Sequence, residues 1–105
     1  MDHSGIELHD ARLVSVTTDY VARRVVVAID YYPNPNASVR VPASIQFNGV
    51  SRFNELSDLD ELQSNAAAGN ISYWVPAIDS GTTYIYLVRG LIGITAKDLV
   101  FASDA

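Results

Sequence analysis

The sequence predicts a mainly β fold: antiparallel sheets forming a sandwich or partly open barrel, about six strands in all, with one short helix near 57–67. Three observations carry this expectation. In Ser38–Asn48, the residues Val39, Val41, Ala43, Ile45 and Phe47 share one parity, while Ser38, Arg40, Pro42, Ser44, Gln46 and Asn48 share the other. A strand sends successive side chains to opposite faces, so this stretch has a dry face and a wet one. Similar two-residue alternation recurs at 23–31 and 82–89. Finally, 49% of the 105 residues are hydrophobic, enough to fill the core of one domain spanning 1–105.

Taken in order, residues 11–18 read as a first strand in which either Val14 and Val16 or Ala11 and Leu13 point inward. Residues 23–31 give a stronger one, with Val25, Val27, Ile29 and Tyr31 on one face and Arg24 and Asp30 on the other. Only Asp19–Ala22 separates the two, so an antiparallel hairpin is expected. Tyr32-Pro33-Asn34-Pro35-Asn36 must be a loop, because its prolines lack backbone donors and restrict the residues before them. Pro42, within the following strand, predicts a sheet edge or a bulge.

Asn48-Gly49 has two readings, a tight hairpin turn or a bend at which the chain leaves the sheet. The bend is preferred, since Phe53, Leu56, Leu59 and Leu62 then recur at helical spacing. Ser57 as N-cap, followed by Asp58, Asp60 and Glu61 in the first turn, places a helix near 57–67 that ends at Gly69-Asn70. Residues 71–78 and 82–89 read as strands joined through Asp79-Ser80-Gly81, and Gly90 turns the chain again. A last strand is expected at 92–101, with a β-bulge where its apolar parity slips across Lys97-Asp98.

The charge balance narrows the function classes. Twelve acidic against seven basic residues give a formal net charge of −5, which repels a phosphate backbone, so nucleic acid is not an expected partner. The absence of cysteine removes disulfides, thiolate metal sites and a cysteine nucleophile together. The N-terminal residues lack the basic and apolar regions of a signal peptide, and the longest apolar tract falls short of a membrane span. A cytoplasmic protein with no membrane partner is expected.

His9-Asp10 pairs an imidazole with a carboxylate, a combination found in general bases and metal sites. Neighbours in a strand face opposite ways, however, so His9 is read as packing at the domain edge and Asp10 as bonding nearby backbone. His3 falls in an expected frayed terminus. Asp58, Asp60 and Glu61 read as a solvated helix start that could also face a basic partner. Tyr31, Tyr32, Tyr73, Trp74, Tyr84 and Tyr86 read chiefly as core and cross-strand packing. Trp74 has the opposite parity to Tyr73, and an outward tryptophan would anchor an interface. No serine elbow, phosphate loop or nucleotide fingerprint is present, and nothing in the residues calls for a cofactor or metal.

Leu8-His9-Asp10-Ala11-Arg12-Leu13, Ile45-Gln46-Phe47-Asn48-Gly49-Val50 and Ile92-Gly93-Ile94-Thr95-Ala96-Lys97 together resemble small bacterial β-rich proteins that begin with a Leu-His-Asp-Ala segment. Some of these are similar to immunity proteins of polymorphic toxin systems. Where such proteins often carry Ser-Gly-Asp before the last strand, this chain has Val88-Arg89-Gly90. The resemblance implies an immunity-like role and carries no catalytic residues.

The expectation is therefore a non-enzymatic binding protein with a protein partner, its candidate contacts being His9, Asp10, Trp74, Asp58, Asp60 and Glu61. The alternative is a small-ligand or enzymatic β domain using His9 and Asp10, with Asp79 nearby. An exposed sheet edge would also permit a homodimer.

Overall fold

The alternating segments pair into two four-stranded antiparallel sheets that share one core. The computed structural model describes residues 3, 5–60 and 70–104. In chain order the strands are β1 (Arg12–Asp19), β2 (Arg24–Tyr31), β3 (Val41–Asn48), β4 (Arg52–Ser57), β5 (Ile71–Val75), β6 (Gly81–Leu87), β7 (Gly90–Ala96) and β8 (Asp98–Ser103). The first sheet has the order β1-β2-β3-β8 and the second β4-β7-β6-β5. Neither closes into a barrel. Among the described residues no helix is long and apolar enough to cross a membrane.

Period-two patterning decides what lies inside. Val25, Val27, Ile29 and Tyr31 of β2 and Ala43, Ile45 and Phe47 of β3 are buried against Ile85 and Leu87 of β6 and Ile92, Ile94 and Ala96 of β7. In β1 the ambiguous parity resolves as a bulge. Leu13 pairs with Ile29 but Ser15 pairs with Ala28, which leaves Val14 over, so Leu13 and Val16 turn inward while Val14 is exposed.

The structure corrects several expectations. There are eight strands among the described residues, not about six. Val39 is exposed and precedes β3, which starts at Val41. Pro42 lies in an interior strand rather than at an edge or bulge. Its carbonyl accepts Asp104 N at the point where the β8 ladder runs out, so its missing N–H interrupts nothing. Ser57, the expected N-cap, ends β4; Leu59 and Asp60 are helical, and residues 61–67 of the expected helix lie outside the described residues. Phe53 and Leu56, three apart, therefore stand on opposite faces of a strand, Phe53 against the core and Leu56 exposed. His3, expected to fray, is buried.

The parity slip at Lys97-Asp98 marks a corner and not a bulge in one strand. β3 and β4 together pair with β8 and β7, so one long two-stranded ribbon bends from the first sheet into the second. Pairing continues around the bend, where Lys97 N donates to Asn48 O and Ser51 N donates to Thr95 O. Asn48 pairs with Asp98 and Arg52 with Thr95, which puts the extra residue on the Gly49–Ser51 side. The preferred bend at Asn48-Gly49 is observed, but it leads into a strand.

Gly49 makes that bend with φ of 61°, and a Cβ there would stand 2.8 Å from Lys97 Cγ and Cδ. We expect Gly49→Ala to lower the unfolding free energy by about 1–2 kcal/mol, the cost of a left-handed L-residue. Gly49→Asn meets the same side chain but tolerates the backbone better, so it should cost less. Urea denaturation measures both, and equal losses would transfer the cause from backbone to crowding.

Candidate functional site

The segment ahead of β1 is not a strand, yet it is held closely. Asp10 N donates to Ile71 O, Ile71 N to Ala11 O, and Ala11 N to Leu8 O. The Trp74 indole donates Nε1–H to Ile6 O at 2.9 Å. Leu8 and Ala11 are completely buried, so this segment seals the side of the sandwich between β1 and β5. Trp74 is the buried member of its pair, 8% exposed, and Tyr73 is the outward one. The tryptophan is therefore not the outward residue of the pair, and its indole fastens the N-terminal segment.

A cleft of about 480 Å³ opens between this segment and the β2–β3 connection. Ile6, Tyr31, Tyr32, Pro33 and Pro35 supply apolar walls, while Glu7, His9 and Asp10 supply its charged groups. The prolines that break the ladder thus become a wall. Asn34 stiffens the loop, its Oδ1 accepting Asn36 N and its carbonyl accepting Ala37 N. Arg40 ties the two sides together, with its guanidinium 5.1 Å from the Tyr32 ring centre and its Nε–H donated to Asp10 O. Tyr31 reaches across the sheet to donate to Ser103 Oγ and meets Phe101 edge to face.

His9 and Asp10 do not face opposite ways. Asp10 has φ of 63°, a left-handed conformation uncommon outside glycine, and it folds the carboxylate back toward its neighbour. Asp10 Oδ2 lies 3.4 Å from His9 Nε2. On the other side of the ring, Nδ1 lies 2.9 Å from the Ser72 carbonyl, and His9 N donates to Glu7 Oε1. Each imidazole nitrogen therefore faces an acceptor, which favours the imidazolium. The pKa is raised above 6.5, first by the Ser72 carbonyl, then by Asp10 and more weakly by Glu7, with desolvation opposing.

This geometry constrains the chemistry. A general base or a metal ligand needs a nitrogen lone pair; Nδ1 of His9 is turned to the Ser72 carbonyl, while Nε2 stands exposed 3.4 Å from the Asp10 carboxylate. No group of three His, Cys, Asp or Glu side chains among the described residues could hold a metal. Asp79 sits in the β5–β6 connection and is not part of the cleft lining. Nor do Asp58 and Asp60, which follow β4, line it; Glu61 lies outside the described residues.

Sequence reasoning missed Arg40 and the proline wall, and no spacing signal points to either. On the outer face of the second sheet Tyr73 stacks on Tyr86 at 4.4 Å, with Tyr84 6.2 Å from Tyr86, as the cross-strand reading expects. Comparison with protein-family models, curated proteins and solved structures finds no match for this chain.

The His9 contacts set a pH dependence. Because the folded pKa is raised, their contribution is fully present below the unfolded value near 6.5 and is lost as pH climbs through the folded value. The Tm advantage of wild type over His9→Gln should therefore be larger at pH 5.5 than at pH 8.5, read by thermal unfolding; a difference constant with pH would show that the charge contributes nothing.

Proposed function

We propose that the protein is a non-enzymatic binding module that takes a basic, extended segment of a partner protein in the cleft between residues 5–10 and 31–37. The observation that carries this reading is the cleft itself: a tyrosine- and proline-walled groove with two carboxylates, Glu7 and Asp10, in its lining. Flat aromatic and proline surfaces suit an extended chain, and carboxylates suit its basic side chains. His9 and Arg40 offset part of that negative charge locally, but the net charge of −5 would speed the encounter with a basic partner. The resemblance to bacterial immunity-like proteins points the same way, toward occlusion of a basic toxin domain in the cytoplasm.

The small-ligand alternative draws support from the 3.4 Å approach of His9 to Asp10. It rests on that single exposed contact, with the other ring nitrogen turned to the Ser72 carbonyl, which makes it the second reading.

The test uses the full chain, isotopically labelled, titrated with a Lys-Pro repeat peptide and with its Glu-Pro counterpart. The basic peptide should shift the amides of residues 5–10 and of Asn34, Asn36 and Ala37, and the acidic one should not. Glu7→Gln and Asp10→Asn keep the local hydrogen bonding and should each weaken binding about threefold, the scale of an exposed ion pair. Equal binding of both peptides, or shifts confined to other surfaces, would overturn the reading.

A further inference from the structure

Three of the chain's seven basic residues, from two separate stretches of sequence, line one cleft of about 210 Å³ at the opposite end of the strands. Arg23 and Arg24 come from the β1–β2 turn and the start of β2; Arg52 opens β4 just past the Gly49 corner. Asp19, Tyr20 and Ser51 complete the rim. The bend in the ribbon is what brings Arg52 beside the hairpin.

Arg23 is fixed in place. It has φ of 56°, costly for a bulky side chain, and is clamped to Val50 by two hydrogen bonds: Val50 N donates to Arg23 O, and Arg23 Nε–H donates to Val50 O. Those bonds leave the Nη groups of a held guanidinium without a protein partner among the described residues. Arg24 and Arg52 are exposed and likewise make no ion pair among the described residues, where the pairs are His9–Asp10 and Arg12–Asp30. The one carboxylate in the lining, Asp19, pairs across the ladder with Arg24, and its Oδ1 accepts Val21 N and Ala22 N. Three arginines in the lining against one internally engaged carboxylate make this corner net positive on an acidic protein. Forked guanidinium donors match the oxygens of a phosphate. Beside them Tyr20 and Val21 are 87% and 98% exposed at the hairpin tip, where little holds them against the protein.

We infer that this corner is an anion-binding site that takes a phosphate group, carried either on a soluble ligand or on a lipid headgroup. It is separate from the carboxylate-lined cleft and stands whether or not that cleft binds a partner. Averaged over the chain, the charge argues against anionic ligands; the fold concentrates cations locally and reverses the sign there.

The experiment titrates the labelled full chain with inorganic phosphate against chloride at matched ionic strength. Saturable shifts are expected at the amides of residues 19–24 and 50–52 with phosphate alone. Arg24→Gln and Arg52→Gln should each weaken the response about threefold, while Arg89→Gln, in the distant β6–β7 turn, leaves it unchanged. Co-sedimentation then separates the sources, with phosphatidylcholine vesicles compared against vesicles that also contain phosphatidic acid, whose phosphate is exposed. Retention on the anionic vesicles that falls in Arg24→Gln and in a Tyr20→Ser, Val21→Ser variant assigns the phosphate to a headgroup; a phosphate response without retention assigns it to a soluble ligand. No response to either, or responses indifferent to Arg24→Gln and Arg52→Gln, would overturn the site.

Discussion

Everything in this fold depends on a two-stranded ribbon that stays hydrogen bonded while it turns a corner. Backbone N–H and C=O groups must find partners wherever water is excluded, so a sheet cannot simply stop in the middle of a core. Here β3–β4 and β8–β7 pass from one layer to the other as a pair, and the bonds at Asn48, Lys97, Ser51 and Thr95 keep the ladder occupied through the bend. Both layers can then lay their apolar faces on the same core without a loop crossing it. The requirement falls on few residues: Gly49 for the backbone, and Lys97 for the space above it.

The opposite side of the sandwich is closed by different means. Among the described residues no ribbon crosses there, and residues 6–11 fill the gap between β1 and β5, pinned by Ile71 and Trp74 and anchored by Leu8 and Ala11. A segment stitched in this way has irregular backbone, and irregular backbone can hold a residue such as Asp10 in a conformation that a ladder would forbid. The tyrosine- and proline-walled groove and the charged pair His9–Asp10 lie at this stitched seam. Closure of the core and construction of the groove are the same structural event.

How much of this was legible follows from which interactions are local. β2, β3 and the β5–β6 hairpin were readable because alternation is a local property, and Gly81 does supply positive φ where a glycine was expected. β4 was not: Phe53 and Leu56 mimic a helical stripe, and only the pairing of β4 with β7, some forty residues away, identifies it as a strand. The slip at Lys97-Asp98 was visible, but one sequence signal fits both a bulge and a corner. The strand rule that set His9 and Asp10 on opposite faces failed because a left-handed aspartate carries no signature in the sequence. The arginine cluster was invisible for another reason, being assembled from positions 23, 24 and 52 by tertiary structure alone.

The unmatched Val14 in β1 has one more effect. β1 is one of the two margins of the first sheet, bridged only at Arg12 to Asn70 among the described residues, and its remaining outward main-chain groups would otherwise form an even row that a second molecule could extend. Because the residues on either side of Val14 are out of step by one, that row is twisted and unevenly spaced. A copy docking there could match only half the strand at a time, so this margin is a poor template for pairing with a second chain.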